Sequence, residues 1–168
     1  MIYRLPELPD EPLLAAYVKE HRDHGERSIS ASVGLTGSAY ADWVAKIHRC
    51  AEAGDEAWGR SLLYLCLDEG RLIGLLSIRY ELPAELSLRL GDVGYGVRPT
   101  ERRKGYASRM LAHALDVCRQ RGMPRVLLGC YADNLASAGV IRHCGGVLVE
   151  ETDRYEAGRL SHYYRIDL

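Results

Sequence analysis

The stretch Val93-Gly94-Tyr95-Gly96-Val97-Arg98-Pro99-Thr100-Glu101-Arg102-Arg103-Lys104-Gly105-Tyr106-Ala107 decides how the rest of the chain is read. It reads as a strand, a short basic loop with glycine at its end, and the opening of a helix. Four cationic side chains, Arg98, Arg102, Arg103 and Lys104, crowd that helix start. A helix N-terminus carries roughly half a positive charge and disfavours each nearby cation by ~0.3–1 kcal/mol. The arrangement makes sense where something strongly anionic is held by free backbone N–H groups and the neighbouring basic side chains. The stretch reads as a phosphate-binding turn.

Downstream of the turn, Ala107, Met110, Leu111, Ala114, Leu115 and Cys118 fall on one face of an amphipathic helix over 105–120, which Gly122 and Pro124 stop. Arg125 to Tyr131 follows as a buried strand, so strand, helix and strand imply a right-handed crossover to a parallel neighbour. Asp133-Asn134 opens a further helix that ends at Gly145-Gly146, and Gly139 inside it points to close packing or a ligand alongside. Two final runs, Val147–Tyr155 and Leu160–Ile166, form a hairpin around Glu156-Ala157-Gly158-Arg159.

Upstream, Leu62–Leu67 and Leu72–Tyr80 are strand-like runs separated by Asp68-Glu69-Gly70-Arg71, a hairpin turn. A connector over 82–90 containing Pro83 leads to the third strand, Asp92–Val97. Residues 1–5 suit a short strand. Helices are expected from Glu11 to about His24 and from a Ser38 cap to about Ala53, with a Ser/Gly-rich loop over 25–37 between them. That helix pair suits either the wall of a ligand site or plain packing. The expected class is α+β (an α/β three-layer arrangement) around a mixed, mostly antiparallel twisted sheet. At 168 residues, with no repeat or linker, one domain is expected across 1–168.

Composition narrows the function classes. The chain is 47% hydrophobic and 27% charged with a formal net charge of −1. A dedicated nucleic-acid binder would show a basic excess, so the cationic cluster is a focused site. The five cysteines have no C-x-x-C pair, which points to reduced thiols, and the histidines lack metal-ligand spacing, so no metal is expected. No apolar run reaches ~18 residues and the N-terminus lacks a signal-peptide pattern, so no membrane association and a cytoplasmic location are expected.

Arg102-x-x-Gly105-x-Ala107, placed after a strand and opening a helix, resembles the acyl-CoA-binding motif Arg/Gln-x-x-Gly-x-Gly/Ala of the GNAT superfamily of N-acetyltransferases. Asn134-x-x-Ser137 follows where that family places its second cofactor-contacting segment. The resemblance covers roughly residues 60–168 and is detailed over 91–146; the first 60 residues map onto no specific member. It implies acetyl-CoA as cosubstrate and a central parallel strand pair that splays to admit the pantetheine arm. Backbone at Tyr95 and Val97 would pair with the pantetheine amides, Asn134 and Ser137 would close the far side, and main chain from about Arg103 to Ala107 would cradle the pyrophosphate. Gly105 leaves that approach open, and Ala107 keeps the helix start narrow. Arg98, Arg102, Arg103 and Lys104 would add charge-assisted attraction, with Tyr106 and Ser108 at the same site.

The catalytic groups are where the sequence departs from the family. A tyrosine seven residues after the asparagine often protonates the leaving thiolate there, and here that position is Ile141. A thiol with a pKa near ~8.5 can leave unaided at neutral pH; Tyr131, Ser137 and Cys144 are the nearby substitutes. An ammonium acceptor, with a pKa of ~10.4, must lose a proton before attack. Asp92 and Glu81 are candidate bases, as well as ordinary carboxylates near strand ends, and water could also relay the proton. Arg79, Glu81, Tyr40 and Trp43 are placed at the substrate pocket. The expected activity is transfer of an acetyl group from acetyl-CoA to a primary amine, in a small molecule, by direct attack. A non-catalytic acyl-CoA-binding or sensor domain is the alternative that Ile141 keeps open. Nucleotide or nucleic acid is disfavoured because no Gly-x-x-x-x-Gly-Lys-Ser/Thr loop is present. An edge strand or the C-terminal hairpin offers a surface for a homodimer.

Overall fold

The computed structural model describes residues 1–54 and 59–168. Strands β1 (Ile2–Arg4), β2 (Ser61–Asp68), β3 (Arg71–Arg79) and β4 (Val93–Val97) form one sheet in that order. Strands β5 (Arg125–Tyr131), β6 (Val147–Glu156) and β7 (Arg159–Asp167) form a second, in the order β5-β7-β6. The helices are α1 (Glu11–Asp23), α2 (Tyr40–Glu52), α3 (Ala84–Leu90), α4 (Tyr106–Gln120) and α5 (Leu135–His143). Every recorded ladder is antiparallel.

Two cores explain the layering. Leu14 and Tyr17 of α1 and Trp43, Val44 and Ile47 of α2 pack on Leu63, Leu65, Leu72 and Leu75. On the other sheet face, Met110, Leu111 and Ala114 of α4 and Ile141 of α5 meet Ile73, Leu76, Val93, Leu128 and Tyr164. Strand β3 is buried from Leu72 to Ile78 because both faces are covered, which is why it reads as an apolar run interrupted by Ser77 alone. Its hairpin with β2 turns at Glu69 and Gly70, with φ of 49° and 78°. Two positive φ values are what a two-residue turn matched to strand twist requires.

The crossover from β4 through α4 sets β5 beside β4, yet the two strands touch only at the root. The Asp92 N–H donates to the Leu127 carbonyl (2.7 Å) and the Leu127 N–H donates to the Asp92 carboxylate (2.7 Å). Farther along, Tyr95 reaches Ser137, beyond the C-terminal end of β5. The strands therefore run the same way and diverge. The expected splayed parallel pair is present with no ladder between its members.

Three local expectations need correction. The connector over 82–90 contains α3; its Leu86, Leu88 and Leu90 alternate in a way that hides a helix, and none of its residues is buried. Tertiary hydrogen bonds hold it: Ser87 Oγ donates to Asp92 Oδ1 (2.7 Å), and Arg79 donates to the Leu90 and Gly91 carbonyls (3.3 and 2.9 Å). The start of α2 is Ala39, with no side-chain cap, and not Ser38. A methyl group added at Gly139 would meet open space, so close protein packing does not account for that glycine. Strand β6 lies at the edge of its sheet and exposes Val147, Leu148 and Val149. Among the described residues no helix is long and apolar enough to cross a membrane.

Candidate cofactor and acyl-transfer site

Hydrogen-bond parity shows which main-chain groups line the splay. Arg79 N–H donates to the Asp92 carbonyl and Arg98 N–H donates to the Ile73 carbonyl. Even-numbered residues of β4 thus bond to β3, and Val93, Tyr95 and Val97 turn their N–H and C=O groups toward the gap. On β5, the Ala132 N–H bond to the Leu160 carbonyl sets even positions against β7, leaving Leu127, Gly129 and Tyr131 facing the gap. Leu127 is used at the root. The Val97 carbonyl accepts Arg102 Nε (3.1 Å), and the Tyr131 carbonyl accepts the Asn134 N–H (2.9 Å). Among the described residues, Tyr95 and Gly129 have no partner for either main-chain group, and Val97 and Tyr131 have none for their N–H groups. An extended chain with amides of its own could satisfy them.

At its wide end the gap meets the turn. Arg103 and Gly105 both take positive φ, 63° and 77°, and Gly105 is the residue that caps α4. The N–H groups of Arg103 through Ser108 donate to no acceptor among the described residues. No protein atom lies within 4 Å of where a Gly105 Cβ would be, so the site in front of the cradle is open. Six consecutive unpaired donors at a helix start favour an anion.

The surrounding cations are mostly paired, which corrects the crowding read from sequence. Arg98 Nη1 donates to Glu20 (3.2 Å), both Arg102 Nη groups donate to Glu26 (2.5 and 2.8 Å), and Lys104 donates to Glu101 (2.8 Å). Glu20 also accepts the Thr100 N–H and hydroxyl. Of the four cations, Arg103 alone has no carboxylate partner among the described residues. Arg98, Arg102 and Lys104, expected at the anion, thus each hold a carboxylate beside the turn in this structure. Glu20 and Glu26 lie some 75 residues upstream in α1 and the following loop, and no local pattern links them to the motif. Tyr106 donates to Asp68 (2.7 Å), packing the first turn of α4 on the β2–β3 hairpin. Ser108 lines a groove of about 440 Å³ between α4 and α5, with Arg109, Arg119 and His143.

Around the splay, Asn134 Oδ1 accepts the Ser137 N–H (3.0 Å) and caps α5. Ser137 Oγ hydrogen-bonds with Tyr95 Oη (2.9 Å), so one side-chain pair links β4 to α5 beyond the end of β5. Burial, the larger effect, raises the Tyr95 phenol to about 12 against the lowering by its Ser137 bond, and keeps it protonated.

The other catalytic candidates are committed elsewhere. Asp92 is 8% exposed, and its two oxygens accept from Ser87 and Leu127. A carboxylate held this way is a clamp at the strand root and has no free oxygen aimed at an amine. Tyr131 donates to Glu156 (2.5 Å) under the Arg159 guanidinium, and burial followed by that bond lifts its phenol to about 12. Ile141 is 1% exposed in the core. The Cys144 thiol, raised by burial, approaches the Ser108 carbonyl (3.9 Å).

The four expected pocket residues do not converge. Arg79 spends its guanidinium on Ser77 and the α3 carbonyls, Glu81 is a surface partner of Arg60 (3.6 Å), Tyr40 donates to the Glu7 carbonyl, and Trp43 is buried with Nε1 donating to the Val33 carbonyl. What does cover β4 on the α1 side was not anticipated. A Cβ at Gly96 would lie 2.8 Å from the Ser30 carbonyl and 3.2 Å from Tyr17 Oη. Tyr17 Oη, His21 Nε2 and Arg98 Nε are buried there without hydrogen-bond partners.

A splayed strand pair ending in an N–H cradle at a helix start, inside a three-layer α/β domain, is the arrangement that the motif resemblance implied. The acetyltransferase (GNAT) family model matches residues 34–145, and the chain belongs to that family. Similar solved structures include the ribosomal L7/L12 α-N-protein acetyltransferase RimL in complex with coenzyme A, 18% identical with a TM-score of 0.75, covering 99% of this chain and 93% of that one. YncA of Salmonella typhimurium, a putative acetyltransferase with its cofactor acetyl-CoA, is 13% identical with a TM-score of 0.70 over 99% and 93%. The microcin C7 self-immunity acetyltransferase MccE in complex with acetyl-CoA and AMP is 15% identical with a TM-score of 0.73 over 99% and 91%. Comparison with curated proteins returned no match.

Proposed function

We propose that this chain is an acetyl-CoA-dependent N-acetyltransferase acting on a primary amine, in a small molecule, by direct attack. The observation that carries the proposal is the gap between β4 and β5. Open main-chain groups of Tyr95, Val97, Gly129 and Tyr131 line it, and it ends at the unpaired N–H groups of Arg103–Ser108. The cradle would take the pyrophosphate, with Arg103 beside it, and the α4–α5 groove, where Arg119 is paired with Asp116 (2.7 Å), offers Arg109 to the rest of the nucleotide.

Bound acetyl-CoA supplies an activated acetyl thioester, and the residues named here orient it. A gap-facing N–H of Tyr95 or Val97 can stabilise the oxyanion that forms on attack. The Tyr95–Ser137 pair stands where a proton can be handed to the departing sulfur, with the serine hydroxyl donating and the phenol resupplying it. The amine's proton passes to water, because Asp92 is occupied. Release of free thiol from acetyl-CoA, screened over amines and polyamines, tests the reading; failure of coenzyme A to raise the melting temperature would overturn it.

The commitment of Asp92 and Tyr131 and the burial of Ile141 favour a second reading, an acyl-CoA-binding domain without turnover. Stabilisation by coenzyme A with no amine turned over would select it.

A further inference from the structure

The loop between α1 and α2 forms a cavity of about 200 Å³, open to solvent and lined by Arg22, Glu26, Arg27, Ser28, Ile29, Ser32 and Thr36. Among the described residues, neither Arg22 nor Arg27 has a carboxylate partner. Glu26 is the one acid in the lining, and Arg102 holds both its oxygens while His21 Nδ1–H donates to one of them (2.7 Å). Its charge is thereby answered from behind the cavity.

The main chain of the loop is equally one-sided. Carbonyls are spent internally: Ile29 accepts from Ser32 Oγ (2.8 Å), Ser32 from the Leu35 N–H (2.8 Å), Val33 from Trp43 Nε1 (2.8 Å) and Gly34 from the Gly37 N–H (3.1 Å). The N–H groups from Arg27 to Ala31 find no acceptor among the described residues. Two guanidinium groups without a carboxylate partner, the hydroxyls of Ser28 and Thr36 and a run of open N–H donors make a lining rich in donors and poor in available acceptors. Such a lining selects an anionic group over a cationic one. Its volume suits one acidic substituent and not a whole ligand.

The loop also sits at the strand that carries the proposed chemistry, since the Ser30 carbonyl lies against Gly96 of β4. We infer that this cavity is an acceptor subsite for an anionic group, so that the amine substrate carries a carboxylate or phosphate alongside the nitrogen to be acetylated. The inference rests on the acetyltransferase reading and gives its acceptor a chemical class. A cationic polyamine would meet Arg22 and Arg27 at close range.

The test uses the full chain with coenzyme A bound and two matched acceptors, glycyl-aspartate and glycyl-asparagine, both with the C-terminal carboxyl amidated so that only the aspartate form carries a carboxylate. Titration with glycyl-aspartate is expected to shift the backbone amide resonances of residues 27–31, and titration with glycyl-asparagine to leave them in place; equal responses, or none, overturn the inference even if no amine is turned over. In acetyl-CoA turnover, kcat/KM is expected to favour the acidic acceptor by about tenfold or more, the scale of one charge-assisted contact. Arg22→Glu with Arg27→Glu, both exposed, should abolish that preference and leave the Kd for coenzyme A unchanged. A retained preference overturns the assignment. A weakened Kd for coenzyme A with the preference intact would show that the cavity serves the cofactor's phosphates. Loss of coenzyme A binding by the unaltered protein would remove the acetyltransferase reading itself, an outcome distinct from these.

Discussion

The turn over 102–108 and the loop over 25–37 solve the same physical problem with different sequences. Among the described residues, both leave runs of main-chain N–H groups unpaired, and both set arginine without a carboxylate partner beside them. The turn does so at the start of a 15-residue helix, with left-handed backbone at Arg103 and Gly105. The loop does so without a helix, by turning its carbonyls inward onto Ser32, Leu35, Gly37 and Trp43. A helix start imposes a spacing that recurs and can be recognised. A loop that reaches the same donor surface through irregular turns imposes none. On the proposed reading, the contrast separates a fixed site for the acyl donor from an acceptor subsite free to vary.

The largest effect is expected where the turn itself is broken. Gly105→Asp places a side chain at φ 77° and a negative charge in front of the N–H cradle. Like charges held together cost several kcal/mol, so coenzyme A should bind about a thousandfold more weakly by calorimetry. The site in front of Gly105 is open, so circular dichroism should show the fold retained. Unchanged affinity would move the cofactor elsewhere.

Tyr95→Phe comes next. General acid catalysis is worth about a hundredfold or more, so kcat should fall by about that factor while the Kd for coenzyme A stays within about threefold. Ser137→Ala should reproduce the loss, because the phenol then has no hydroxyl to pass its proton through. A kcat unchanged in both variants would show that the thiolate leaves unaided.

How much of this could be read in advance follows from the same contrast. The strands, the crossover helix, the two hairpins and the turn were legible because their signals are local: the Glu69-Gly70 turn, the apolar face from Ala107 to Cys118, and glycine where φ is positive. Helix α3 was not, since its leucines alternate and Arg79 and Asp92 hold it from outside. Within the site, the main-chain groups that face the gap follow from strand position, whereas the partners of the side chains do not. Arg102 stands in the motif and Asp92 at the start of the strand leading into the site, yet Glu26 claims one and Leu127 the other. Those partners are distant in sequence and carry no periodic mark.

Asp92 allows the clamp and the base to be separated. Asp92→Ala leaves the Leu127 N–H and the Ser87 hydroxyl without their acceptor, at a cost of about 2 kcal/mol that chemical denaturation should register. Asp92→Asn keeps an oxygen for Leu127 and an N–H for Ser87, and should cost less than about 1 kcal/mol. Turnover by the asparagine variant is expected to stay near that of the parent. A variant as stable as the parent but inactive would restore Asp92 as the base.

Glu26 joins the two regions, because it lines the loop cavity and grips Arg102 of the turn. Arg102 first, and His21 after it, hold its carboxyl at about 2, against an ordinary value of 4.5. The folded chain thus binds fewer protons at this site than the unfolded chain, and acidification favours unfolding. The stabilisation is fully present above about pH 4.5 and is lost as pH falls toward 2. His21 acts in the same direction, since burial lowers its pKa below 6.5 and favours the neutral ring. Glu26→Gln should therefore cost about 1 kcal/mol at pH 7, the upper end for a partly exposed ion pair. The gap in melting temperature between variant and parent should close between pH 4.5 and 2, and a gap that stays constant across that window would mean that the pair contributes by packing and not by charge. If the turn is positioned through this pair, the variant should also bind coenzyme A more weakly at pH 7, although Glu26 touches no part of the cradle. An unaltered Kd would make the turn independent of the loop that covers it.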